Sequence, residues 1–83
     1  MTEPRILLIE DDRRSAQSLE RVLKAKGYAV SLADRGDEGL ERARNETFDV
    51  VVTDLRMPGM GGLELVKELH RRGQRVTRRS PWP

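Results

Sequence analysis

The chain has 83 residues, of which 36% are hydrophobic and 36% are charged. This length accommodates one small domain and leaves no room for a catalytic domain joined to a second output domain. Cysteine is absent, which excludes disulfides and thiolate metal sites and favours a cytoplasmic protein. No apolar run approaches the roughly 20 residues that a membrane helix needs. The N-terminus has no signal-peptide pattern, and no membrane association is expected.

The net charge of +2 conceals an uneven distribution of charge along the chain. Eleven of the 16 basic residues and all 14 acidic residues precede residue 71, so residues 1–70 carry a net charge of −3. A basic end of this kind can contact nucleic acid or anionic lipid. However, its only aromatic residue is Trp82, and its arginines share no helix face. We therefore expect an irregular, solvated tail and do not expect nucleic acid as a partner.

The hydrophobic pattern predicts three strand–helix units in succession. Continuous apolar runs predict buried strands, and apolar residues three and four apart predict helices. Gly27 and Gly73 follow two of the helical patterns and are typical helix ends. The predicted elements are a strand at 5–10, a helix at 12–26, a strand at 28–33, a helix at 36–46, a strand at 49–53 and a helix at 63–72. Strands that alternate with helices favour an α/β fold with a parallel sheet covered by helices on both faces.

Acidic residues follow two of the predicted strands. The first strand runs into Glu10, Asp11 and Asp12, and the third runs into Asp54. Polar chemistry in an open parallel sheet lies at the carboxyl ends of its strands, so these carboxylates meet if the two strands are neighbours. Because clustered carboxylates repel one another, they favour a hard cation such as Mg²⁺. A carboxylate beside such an ion can attack a phosphoryl group, and Asp54 is the best candidate for this role.

The same acids have a purely structural interpretation. Asp11 or Asp12 can cap the helix that follows, and Asp54 can open the turn before Pro58. Two acidic strand ends together favour a site more than either does alone. The residues by themselves leave both interpretations open.

Two segments carry a family resemblance. ILLIEDD near the N-terminus and VVTDLRMPGMGGLELVKEL after residue 50 resemble the receiver domain of bacterial two-component response regulators, from about Arg5 to Arg72. The resemblance implies a flavodoxin-like fold with strand order 2-1-3-4-5. It implies that Asp54 accepts a phosphoryl group from the phosphohistidine of a partner kinase, so that the domain is a signalling module and not an enzyme.

The resemblance also implies a set of Mg²⁺ ligands. Asp11 would bind the ion directly and Glu10 through water. Asp54 and the backbone carbonyl of Arg56 would complete the protein ligands. The expected partners are a sensor histidine kinase or a phosphotransfer protein, with a receiver–receiver dimer as a further possibility.

The chain departs from the family pattern in two ways. Gly61 stands where the family motif usually has an acid. The pattern also stops before the family's fourth strand, so neither Thr77 nor Ser80 is assigned as the family's switch hydroxyl, and no lysine follows Lys67.

These departures predict an incomplete domain. We expect a partial receiver at 1–72, with the third strand at the edge of the sheet, and an irregular basic tail at 73–83. Such a chain would be expected from a truncated or frameshifted gene. The alternative function is a non-signalling receiver fragment that only binds a kinase or another receiver.

Overall fold

The computed structural model describes residues 3–54 and 62–79. Its helices and strands alternate along the chain, as predicted for the first six. They are β1 (Arg5–Ile9), α1 (Arg13–Ala25), β2 (Ala29–Ala33), α2 (Gly36–Asn45), β3 (Val50–Asp54), α3 (Gly62–Arg71) and β4 (Val76–Arg79).

The strands form one parallel sheet in the order β2-β1-β3-β4. The chain therefore crosses from β2 over β1 to reach β3, which is the connection of a doubly wound α/β fold. This arrangement confirms the predicted α/β class, the parallel sheet and the 2-1-3 order of the first three strands. None of the helices in the described ranges is long and apolar enough to span a membrane.

The prediction of an irregular tail from residue 73 is wrong for residues 76–79, which form β4. This strand pairs with β3 from Val51↔Val76 to Asp54↔Arg79. Thr77, Arg78 and Arg79 make this segment more polar than a strand buried on both sides usually is. As the outermost strand in the described part of the sheet, β4 leaves Thr77 exposed to solvent, and its backbone satisfies amides and carbonyls of β3. The prediction that β3 lies at the sheet edge is wrong for the same reason.

The two faces of the sheet are covered by different helices. Helices α2 and α3 contact each other and cover one face, whereas α1 contacts β1 and β2. The main core lies beneath α2 and α3 and consists of Leu7, Ile9, Ala33, Leu40, Phe48, Val51, Leu65 and Leu69. Ile6 and Leu8 alternate with Leu7 and Ile9 along β1 and are also buried, so they lie on the face that α1 covers. This double covering explains the continuous apolar run of β1.

Gly39 in α2 lies close against the end of β1. A Cβ atom placed on this glycine would lie 2.7 Å from Cγ1 of Ile9 and would overlap Cδ1 of the same side chain. Ile9 is fully buried, so its side chain has little room to move. Gly39 therefore allows α2 to approach the end of β1, and it helps to position the strand end that leads into Glu10.

We expect Gly39→Ala to destabilise the protein by about 1–2 kcal/mol. Alanine is favoured over glycine inside a helix by about 1 kcal/mol. Inserting a methyl group into a packed core, however, costs about 1–3 kcal/mol. Because the new Cβ would overlap a fully buried side chain, we expect a cost in the upper part of that range. The expected fall in Tm, measured by circular dichroism, is about 5–10 °C.

The pair Gly39 and Ile9 supplies its own control. Ile9→Val removes the methyl group that the new Cβ would overlap and should cost about 1 kcal/mol alone. If steric overlap with Ile9 is the cause, the double variant will lose less free energy of unfolding than the two single variants lose when their losses are added. Strict additivity would contradict this explanation.

Candidate functional site

The carboxyl ends of β1 and β3 meet at one edge of the sheet. The two strands are paired in parallel as far as Ile9↔Thr53, and the next residue on each strand is Glu10 and Asp54, respectively. The register therefore confirms that the two acidic strand ends are adjacent. The side chain of Asp54 lies outside the described residues, whereas its backbone forms the last position of β3.

Glu10 is a buried carboxylate, with 3% of its surface exposed. Its backbone N–H donates to the carbonyl oxygen of Ala33 at 2.9 Å, which extends the pairing with β2 by one step. Its Oε2 accepts a hydrogen bond from the backbone N–H of Asp12 at 3.0 Å. Burial of a carboxylate is costly unless donors or cations compensate it, so this position favours a specific polar environment at the strand end.

Asp12 is the N-cap of α1, which answers the question that the sequence left open. Its Oδ1 accepts from the backbone N–H of Arg14 at 3.2 Å, and its Oδ2 accepts from Oγ of Ser15 at 2.8 Å. The first α-helical hydrogen bond follows, from the N–H of Ala16 to the Asp12 carbonyl at 2.9 Å. The structural interpretation is therefore correct for Asp12.

Asp11 lies between these two acids and is exposed. Within residues 3–54 and 62–79, its carboxylate takes part in no hydrogen bond or ion pair. Of the three consecutive acids, one is buried, one caps a helix and one remains available to an ion in solvent. The role of Asp11 as the direct ligand, which the resemblance implies, stays a prediction.

Other predicted site residues lie outside the described part of the chain. Arg56 belongs to this group, together with Pro58 and Gly61. Within the described part, no group of three or more metal-ligating side chains is found. The predicted ligand set includes the side chain of Asp54 and the carbonyl of Arg56, so the set as a whole stays a prediction.

A polar groove adjoins Glu10 on the β2 side of the same edge. Its volume is about 310 Å³, and its polar lining includes Arg13, Gln17, Asp34 and Glu38. No sequence motif points to these residues. Asp34 could have indicated this groove in the sequence, because it directly follows β2, which is the neighbour of β1 in the sheet. The carboxyl edge is therefore acidic across β2, β1 and β3.

The pKa values of Arg35 and Asp37, close to this groove, are shifted by their mutual hydrogen bond, upwards for Arg35 and downwards for Asp37. Hydrogen bonding from Arg35, followed by the backbone N–H of Glu38, lowers the pKa of Asp37 below its ordinary value. Asp37 therefore stays ionised in the first turn of α2, where a negative charge suits the helix dipole. His70 is exposed in the last turn of α3.

The fold and this edge define a class of protein, a doubly wound α/β domain with acidic residues at the carboxyl ends of neighbouring strands. Here these residues are the buried Glu10 and the exposed Asp11 after β1, and Asp54 at the end of β3. The family model of the response regulator receiver domain matches residues 6–78. The chain belongs to this family, whose domains are signalling modules of two-component systems. The match extends through most of β4, in agreement with the corrected strand count.

Individual proteins give the same assignment. A response regulator receiver protein from Anaeromyxobacter sp. (strain Fw109-5) is 46% identical over 67 residues, which cover 81% of this chain and 28% of that protein. The chain spans about a quarter of the length of the curated relatives it matches, between 22% and 28% for the first three.

Solved structures share the fold. TrrA from Thermotoga maritima, in a complex with Mg²⁺ and BeF, has a TM-score of 0.84 and 29% identity, over 90% of this chain and 65% of that chain. The complex of the histidine kinase ThkA with TrrA gives a TM-score of 0.88 and 27% identity, over 96% of this chain and 71% of the matched chain.

Proposed function

We propose that this chain is a phosphoacceptor module in which Asp54 receives a phosphoryl group from a histidine kinase or phosphotransfer protein with the assistance of Mg²⁺. The observation that carries the proposal is the register that makes Glu10 and Asp54 the adjacent ends of β1 and β3. Family membership and the kinase complex of TrrA support the choice of partner. A cytoplasmic location is proposed with it, since histidine kinases phosphorylate receivers in that compartment.

The residues of the carboxyl edge fit a magnesium ion. The groups are all oxygen donors, as Mg²⁺ prefers, and the ion commonly uses one or two carboxylates and keeps several waters. Asp11 is exposed and supplies the direct carboxylate, and the buried carboxylate of Glu10 is held by a hydrogen bond from the N–H of Asp12. Asp54 and the carbonyl of Arg56 are the other proposed ligands. The Mg²⁺–BeF complex of TrrA supports the same type of site.

The proposed chemistry is a single displacement at phosphorus. A carboxylate oxygen of Asp54 forms a bond to phosphorus while the phosphorus–nitrogen bond of the phosphohistidine breaks, and the imidazole leaves and takes up a proton. When bound, Mg²⁺ would neutralise charge on the phosphoryl oxygens. The chain's own contribution is position: β3 ends at the nucleophile, and β1 ends at the ion-binding acids.

A small phosphodonor tests the proposal directly. The chain is incubated with acetyl phosphate, with and without Mg²⁺, and its intact mass is measured. We expect addition of one phosphoryl group only when Mg²⁺ is present, stable in acid and removed by hydroxylamine. No addition under any condition would favour the alternative of a non-signalling fragment that only binds a kinase or another receiver.

Asp11→Asn is expected to weaken Mg²⁺ binding by at least about tenfold, because changes to residues that only support a metal ligand already cost about 10–100-fold. Calorimetry is the suitable measurement. Tryptophan fluorescence would be a poor reporter of binding, because Trp82 lies far along the chain from the acids.

Asp34→Asn is the matched control for this change. It also removes one exposed negative charge from the carboxyl edge, but at the end of β2. Its Mg²⁺ affinity should stay within about twofold of the wild type, because exposed charges that do not touch the ion are screened by solvent. Equal losses in the two variants would mean that general charge, not ligation by Asp11, attracts the ion.

A further inference from the structure

One residue connects the start of α1 to the buried carboxylate of the site. The backbone N–H of Asp12 donates to Oε2 of Glu10 at 3.0 Å. The side chain of the same residue accepts from the N–H of Arg14 at 3.2 Å and from Oγ of Ser15 at 2.8 Å. Asp12 therefore holds the first turn of the helix with its side chain and holds Glu10 with its main chain.

We propose that Asp12 is a positioning residue for the magnesium site: by capping α1 it keeps its own N–H directed at Glu10 and so fixes the orientation of that carboxylate. This inference rests on the proposed function, and it assigns Asp12 a role distinct from ligation. Both carboxylate oxygens of Asp12 are engaged by the first turn of α1, whereas the neighbouring Asp11 is exposed to solvent.

Two physical reasons make this connection important. Glu10 is 3% exposed, so bulk water contributes little to orienting or solvating its carboxylate. The N–H that it accepts belongs to a residue whose backbone is extended, with φ −84° and ψ 113°. A loosened cap lets this residue leave the cap geometry, and the N–H then turns away from Glu10. Removing a group that hydrogen-bonds a metal ligand, without itself touching the metal, commonly lowers metal affinity by about 10–100-fold.

Two substitutions at the same position separate the cap from the charge. Asp12→Asn and Asp12→Ala each remove one negative charge, but asparagine keeps an oxygen acceptor for the helix N–H and is as good an N-cap as aspartate. Calorimetry should show Mg²⁺ binding about tenfold weaker in Asp12→Ala than in Asp12→Asn. In Asp12→Ser, which also retains a capping oxygen, the affinity should be close to that of Asp12→Asn.

A control on the same helix distinguishes positioning from general instability. Arg21→Gly destabilises α1 at an exposed position two turns beyond the cap. Its Mg²⁺ affinity should equal that of the wild type at a temperature at which both proteins are fully folded. A metal-free readout is the NMR shift of the amide proton at position 12, which should stay downfield in Asp12→Asn and Arg21→Gly and move upfield in Asp12→Ala.

Each outcome decides a different question. Equal Mg²⁺ affinity of Asp12→Ala and Asp12→Asn, beside a wild type that binds the ion, overturns the positioning role and leaves the proposed function standing. An equal loss in Arg21→Gly and Asp12→Ala also overturns it, because helix stability would then be the cause. A wild type that does not bind Mg²⁺ overturns the proposed metal site and this inference together.

Discussion

Asp54→Asn is expected to abolish labelling by acetyl phosphate. The amide has nearly the same shape as the carboxylate, but it lacks the charge that makes the oxygen a nucleophile. Because the reaction forms a bond to this one residue, the expected effect is complete loss and not a graded decrease. Intact-mass spectrometry of the wild type and the variant, treated in parallel with Mg²⁺, measures it.

Asp49→Asn is the matched control for this variant. Asp49 directly precedes β3, at the opposite end of the strand from Asp54, and its Oδ2 accepts a hydrogen bond from the backbone N–H of Arg5 at 2.6 Å. Asparagine retains an oxygen for that bond, so the fold and the labelling should both persist. Labelling that survives Asp54→Asn would move the acceptor to another acid and contradict the assignment.

Removal of residues 74–83 is expected to remove a large part of the free energy of unfolding. This change deletes β4 and leaves the outer edge of β3 unpaired. The half-buried Val76 would no longer pack against the core, and backbone pairs such as Val51 N–H to the carbonyl of Arg75 at 2.9 Å would be lost. Together these losses amount to about 3–5 kcal/mol, against a typical total of about 5–15 kcal/mol for a domain. The exposed apolar edge would also favour aggregation.

Removal of residues 80–83 alone supplies the control, since it leaves β4 intact. Thermal melts and sedimentation should show a cooperative monomer for this shorter deletion, and a broad transition or large oligomers for the longer one. If the 74–83 deletion melts as sharply as the full chain, β4 contributes little to the fold.

The parts of the fold that were predictable depend on strong local patterns. ILLI in β1 and VVV in β3 are continuous apolar runs, and the spacing of apolar residues in α1 indicates one buried helix face. The adjacency of the two acidic strand ends followed from the strand order, which the family resemblance supplied and which pattern alone does not determine. The register Ile9↔Thr53 then confirmed it.

The features that were missed depend on tertiary context. β4 is polar and short, and it becomes a strand because β3 offers unpaired backbone groups beside it. The periodicity of α1 does not fix its first residue to within one position. It therefore does not decide whether Asp11 or Asp12 caps the helix. The approach of Gly39 to Ile9 depends on how α2 crosses the sheet. Each of these three features depends on distances between residues that only the three-dimensional structure gives.

The most direct test of the central claim is to locate the phosphoryl group. The chain is labelled with acetyl phosphate and Mg²⁺ and then treated with borohydride, which reduces an acyl phosphate of aspartate to homoserine. Peptide mass spectrometry then identifies the converted residue. The account predicts homoserine at position 54 alone, dependent on Mg²⁺. Conversion at position 11 or 12, or labelling that is independent of Mg²⁺, would contradict it.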